Sequence, residues 1–150
     1  MKILRIFPML LIFFMVGCGN EKEMDCNLTV NNPFSAYTSV QNYKICYKGD
    51  FVTSIDKQEN YISDDNNTIE YFYESRELEY YDLSDKYGGV IYKVEKGNNN
   101  VSLTANINLG LLDINKMVKD GKIDKDYVVN GKLTITGLKK IYEKKGFTCK

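Results

Sequence analysis

The sequence predicts an α+β domain: an antiparallel sheet of about five strands with helices packed on one face. Three observations carry that prediction. Residues 25–31, 40–48, 51–61, 90–96 and 101–109 read as strands, and apolar residues alternate with polar ones most clearly through 90–96 and 101–109, the period-two signature of half-buried strands. Between the third and fourth of these runs, apolar residues recur at helical spacing over about five turns. A shorter helical repeat lies near the end of the chain, and the polar faces left on the strands fit a sheet covered on one side only.

Each element has its own signals. In the first strand Met24, Cys26, Leu28 and Val30 share one face, and in the second Tyr43, Ile45 and Tyr47 do so. Asn32-Pro33-Phe34-Ser35 is a turn between them, and Lys48-Gly49-Asp50 is a hairpin signal leading into the third strand. Ser63-Asp64-Asp65-Asn66-Asn67 then stops the strand and offers helix caps, with Glu70 three residues after Asn67 as in a capping box. Ile69, Phe72, Tyr73, Arg76, Tyr80, Leu83 and Tyr87 fall on one helical face, with Glu70, Glu74 and Glu77 mostly on the other. Such a tyrosine stripe reads as a core face with hydroxyls at its edge rather than as an aromatic platform for a ligand. Gly88-Gly89 ends the helix.

The clearest hairpin follows. Val90, Tyr92 and Val94 alternate with Ile91, Lys93 and Glu95, Gly97-Asn98-Asn99-Asn100 turns, and Val101, Leu103, Ala105, Ile107 and Leu109 alternate with polar partners. Residues 113–119 allow one or two helical turns with Ile114, Met117 and Val118 inward, and a loop around Tyr127-Val128-Val129 is punctuated by Gly121 and Gly131. Leu138, Ile141, Tyr142 and Lys145 fit a final helix that starts near Thr134 or Thr136 and stops at Gly146.

Ahead of all this stands MKILRIFPMLLIFFMVGCGN, with Lys2 and Arg5 before an apolar run over residues 6–16. At about 11 residues the run is too short to cross roughly 30 Å of hydrocarbon and suits the apolar region of an export signal. Val16-Gly17-Cys18 places a cysteine directly after a small residue, where bacterial lipoprotein processing attaches a diacylglyceryl thioether and cleaves before the Cys. The expected organisation is a lipoprotein signal peptide over 1–17, a lipid-anchored tether over 18–25 and one domain over 26–150. The expected partner of Cys18 is membrane lipid, because two acyl chains anchor a protein stably where one does not. The domain is then held at the cell membrane on its extracytoplasmic side.

The chain has 150 residues, 20 basic and 20 acidic, with no His and no Trp. Losing Lys2 and Arg5 with the signal leaves two more acidic than basic side chains, so no electrostatic case exists for nucleic acid. Without His there is no His-centred triad or zinc site, and the widely spaced cysteines form no C-x-x-C motif. Asp64-Asp65 reads as capping, Glu77 and Glu79 point in different directions on a helix, and Asp124-Lys125-Asp126 lacks the ligand pattern of a calcium loop. Lys139, Lys140, Lys144 and Lys145 form a basic patch that reads as a solvated helix face. No catalytic residue, metal ligand or cofactor is expected.

With Cys18 committed to lipid, Cys26, Cys46 and Cys149 remain. Strand parity turns Cys26 toward the core, within reach of Gly146-Phe147-Thr148-Cys149, and turns Cys46 the other way. A Cys26–Cys149 bridge is expected, with Cys26–Cys46 or no bridge as the alternatives. Cys46 is then an odd thiol, read as a small side chain beneath a loop or helix.

Val16-Gly17-Cys18, Cys26-Asn27-Leu28-Thr29, Tyr47-Lys48-Gly49-Asp50, Tyr87-Gly88-Gly89-Val90 and the closing Lys144-Lys145-Gly146-Phe147-Thr148-Cys149-Lys150 together resemble the YehR-like family of small bacterial lipoproteins, in its Gram-positive form. The resemblance spans nearly all of the chain after the signal, and its motifs are structural. It implies the lipid anchor and an α+β domain with no established enzyme activity. By position Cys26 and Cys149 match the terminal cysteines of Gram-positive relatives, while Cys46 departs from them. The functional expectation is a non-enzymatic, lipid-anchored extracytoplasmic domain that binds a protein, peptide or other envelope component. Two alternatives stand beside it: a carboxylate-dependent envelope glycan hydrolase, which needs two carboxylates lining one concavity, and a small-molecule carrier, which needs a cavity inside the tyrosine stripe.

Overall fold

The computed structural model describes residues 18–32, 34 and 36–150; the signal predicted over 1–17, and Pro33 and Ser35 of the first turn, lie outside the described residues. Three long strands come first: β1 (Lys22–Asn32), β2 (Tyr37–Lys48) and β3 (Phe51–Ser63). Helix α1 (Asn66–Tyr87) is followed by the hairpin of β4 (Val90–Lys96) and β5 (Asn100–Asn108). The rest comprises α2 (Ile114–Lys119), the two-residue strands β6 (Val128–Val129) and β7 (Lys132–Leu133), α3 (Ile135–Lys144) and β8 (Thr148–Cys149).

The main sheet is antiparallel with strand order β4-β5-β3-β2-β1-β8, six strands rather than about five, because the last residues add β8 to the edge of β1. β6 and β7 pair separately. Strand β1 begins at Lys22, so residues 22–25, expected in the tether, belong to the sheet. The reason is their pairing with β2 from Lys22↔Tyr47 onward and the burial of Met24.

Parity holds across the sheet. Cys26 faces Tyr43, Tyr43 faces Lys57, Lys57 faces Ala105 and Ala105 faces Tyr92, so these five side chains form one row beneath the helices. Ile45, Ile55, Val101, Leu103 and Ile107 fill that face around the row. Burying each such side chain contributes roughly 1.5–3 kcal/mol. The opposite face presents Asn27, Asn42, Gln58, Asn60, Thr104 and Asn106 and carries no helix.

Helix α1 lies over β3, β4 and β5. It starts at Asp65, which accepts from Thr68 N–H at 2.9 Å, two residues before the Asn67 expected to cap it. Asp65 wins because its backbone is still extended while Asn66 and Asn67 are already helical. The stop at Gly88-Gly89 is as expected: both have positive φ, and a Cβ on Gly89 would lie 2.7 Å from Asn108 O. Ile69, Phe72, Tyr80 and Tyr87 are the buried face. Helix α3 is capped by Thr134, whose side chain accepts from Gly137 N–H at 3.1 Å, and places Tyr142 against Tyr43 and Phe147.

Candidate functional site

Two adjacent positions on β3 break the apolar row beneath the helices. Lys57 and Glu59 lie in phase with Ile55 and Tyr61, so both point at the helices rather than at solvent. Glu59 is 4% exposed. A carboxylate taken that far from water is costly unless its oxygens are satisfied, and here they are. The Tyr43 hydroxyl donates to Oε1 at 2.5 Å, the Tyr61 hydroxyl to Oε2 at 2.6 Å and the Tyr80 hydroxyl to Oε1 at 3.3 Å. Arg76 of α1 stands 3.8 Å from Oε2 and pairs more closely with Glu79 at 2.8 Å. Its buried Nε meets no acceptor among the described residues.

Lys57 is half-buried beside this hub. Its ammonium lies 4.8 Å from the ring centroid of Tyr43, 5.7 Å from that of Tyr80 and 6.0 Å from that of Tyr142, a three-sided aromatic enclosure. Burial pulls its pKa below the ordinary lysine value, against the opposing pull of Glu59 and Glu79. Burial, reinforced by the charge of Glu59, pushes the phenols of Tyr43, Tyr61, Tyr80 and Tyr142 above the ordinary tyrosine range. They are therefore neutral donors at physiological pH. For Arg76, burial works against the charge, but the carboxylates of Glu79 and Glu59 outweigh it and raise the pKa. Both carboxylate oxygens are satisfied, Oε1 by Tyr43 and Tyr80 and Oε2 by Tyr61, which is the geometry of a structural brace between β2, β3 and α1.

Nothing in the sequence reading singled out this cluster. The signal was present, because Lys57 and Glu59 occupy the phase of Ile55 and Tyr61 while Asp56, Gln58 and Asn60 already take the strand's wet face.

The residues singled out from sequence are not brought together. Asp65 caps α1, Asp124 accepts from Asp126 N–H at 3.0 Å in a short turn, and Glu79 pairs with Arg76. An open hollow of about 210 Å³ at the end of the β1–β2 hairpin is lined by Asn31, Asn32, Ala36, Tyr37, Thr38, Ile62, Ser63 and Asp64, with a single carboxylate among them. The stripe on α1 is packed: Phe72 stacks on Tyr61 at 4.4 Å and meets Tyr37 edge-on at 4.9 Å. Among the described residues no three His, Cys, Asp or Glu side chains gather as a metal site requires.

Cysteine chemistry divides between the two faces. Cys26 and Cys149 are register partners joined by a disulfide on the helix side, flanked by the reciprocal hydrogen bonds of Asp25 and Lys150 at 2.9 Å. Cys46 is not an odd thiol. It points to the open face, where its sulfur is bonded to that of Cys18. The expectation set Cys18 aside for lipid, whereas in the structure the turn over residues 18–21 places its sulfur against Cys46.

The solved structure of Escherichia coli YehR superposes with a TM-score of 0.57 at 13% identity, over 87% of this chain and 92% of that one. The two share a fold. A protein from Streptococcus pneumoniae TIGR4 superposes with a TM-score of 0.49 at 13% identity, over 87% of each chain. No protein-family model and no curated protein matches the sequence.

Proposed function

We propose that the chain is a non-enzymatic binding domain, anchored through acylated Cys18 to the extracytoplasmic side of the cell membrane, that recognises a protein or peptide of the envelope with the solvent face of α1. The observation that carries the binding reading is the composition of that face. Tyr71, Leu78 and Tyr81 are each more than half exposed, one to three turns apart on the side turned away from the sheet, with Glu70, Glu74 and Asp85 among them. Exposed aromatics and a leucine aligned on a rigid helix match the anchors of helix-mediated recognition. The helix is fixed from below by the Glu59 hub, so the face is offered without an ordering cost.

The test is site-directed photocrosslinking in membranes of the producing cell. A probe at position 78 is expected to yield a defined adduct that a probe at Asn42 on the open sheet face does not. The adduct should disappear with the Tyr71→Ala, Tyr81→Ala double substitution and survive replacement of Glu74 alone. Equal labelling from both faces, or none from position 78, would overturn the reading.

A further inference from the structure

Cys46 has a burial that its position on the sheet does not explain. It lies on the helix-free face, opposite Glu23 and Ser54, yet is only 2% exposed. The cover is the N-terminal segment. A turn closes with Glu21 N–H donating to Cys18 O at 3.1 Å, and the Thr53 hydroxyl donates to Glu21 Oε2 at 2.5 Å. Thr53 is free to do this because the β2–β3 register shifts there: Cys46 pairs with Ser54 but Tyr47 pairs with Val52, leaving Thr53 as the extra residue of a bulge. The result is a Cys18–Cys46 disulfide with Cα atoms 5.4 Å apart, within the normal span of such a bridge.

The sulfur of Cys18 is also the one that the Val16-Gly17-Cys18 sequence offers to acylation. A sulfur holds either a thioether or a disulfide. We propose that Cys46 is a competing covalent partner for Cys18, so that bridging commits a molecule to an unacylated form and acylation leaves Cys46 as a covered thiol. The inference rests on the lipid-anchor reading above. In acylation the Cys18 sulfur forms an S–C bond to the diacylglyceryl group of a glycerophospholipid, the C–O bond to the head-group phosphate breaks, and the thiol proton is released as the phosphate leaves. In bridging, Cys18 and Cys46 thiols lose two protons and two electrons to a disulfide donor, a low-molecular-weight disulfide or an extracytoplasmic oxidoreductase, which is reduced to two thiols.

The full chain, expressed in a lipoprotein-acylating bacterium with and without an added disulfide oxidant during synthesis, tests this by intact mass and by peptide mapping after thiol blocking without reduction. The oxidant is expected to lower the acylated fraction at least threefold, with a Cys18–Cys46 peptide pair confined to unacylated molecules. Cys46→Ser and Cys46→Ala should keep their acylated fraction under oxidant, with Cys26–Cys149 formation reporting that both variants fold. The proposal is overturned if the acylated fraction of the unaltered chain is unchanged while Cys26–Cys149 forms, or if it falls equally in both Cys46 variants. Absence of acyl chains without oxidant would instead overturn the anchor reading, and the competition with it.

Discussion

The two faces of the one sheet treat polar side chains in opposite ways. Beneath the helices, Glu59 is held by three phenols and an arginine, and Lys57 lies among three aromatic rings. On the open face, Asn106 donates to Asp56 at 2.6 Å and Lys44 pairs with Glu23 at 3.0 Å, with water available to all four. The chemistry is alike and the setting differs. Where water is excluded, a polar group must find all of its partners in the protein, so each partner becomes costly to lose; where water remains, it replaces whichever partner is removed.

The sharpest way to break this contrast is Glu59→Ala. It strands the phenols of Tyr61 and Tyr80, leaves Tyr43 with only Gln41 and Arg76 with only Glu79, and a loss of about 3–5 kcal/mol is expected in urea unfolding. A loss below about 1 kcal/mol would mean that the hub is not a brace. Opening Cys26–Cys149 by Cys149→Ser comes next, at about 2–5 kcal/mol, because a bridge with a sequence separation of 123 constrains nearly the whole unfolded domain. Tyr43→Phe should cost about 1–3 kcal/mol by removing a single buried donor to Glu59. On the open face Lys44→Ala should cost under about 1 kcal/mol, since both partners of its ion pair are partly exposed. Equal losses from Tyr43→Phe and Lys44→Ala would abolish the distinction between the faces.

Alkaline titration sharpens the same comparison without mutation. The buried phenols of Tyr43, Tyr61, Tyr80 and Tyr142 have pKa values raised by burial and by Glu59, so the native state keeps protons that the unfolded chain gives up. Their stabilising contribution is whole below the ordinary phenol pKa of about 10 and is lost as pH rises past it. Stability followed by circular dichroism should therefore fall above about pH 10, with a shallower slope in Tyr43→Phe. An unchanged slope in that variant would remove Tyr43 from the set of strongly shifted groups.

Local patterns made much of the fold legible. Alternation at Val90–Lys96 and the helical recurrence of Ile69, Phe72, Tyr80 and Tyr87 depend only on neighbours a few residues apart, and these elements stand where the sequence puts them. Boundaries moved where pairing extended a strand, as at Lys22 and Ser63. The exposed Tyr71, Leu78 and Tyr81 were legible only as the remainder of a helix whose other face is core.

By itself, then, the sequence determined the α+β class, the inward faces of β1, β2, β4 and β5, the helix stops at Gly88 and Gly146, and a Cys26 turned toward the core. Tertiary structure decided that Glu59 would be encircled by tyrosines from β2, β3 and α1, that β8 would complete a sixth strand, and that Cys18 would meet Cys46. The physical reason is range. Side-chain direction is set by backbone geometry over two to four residues, whereas a buried charge finds its partners, and a thiol its neighbour, only after register and packing have brought distant segments together.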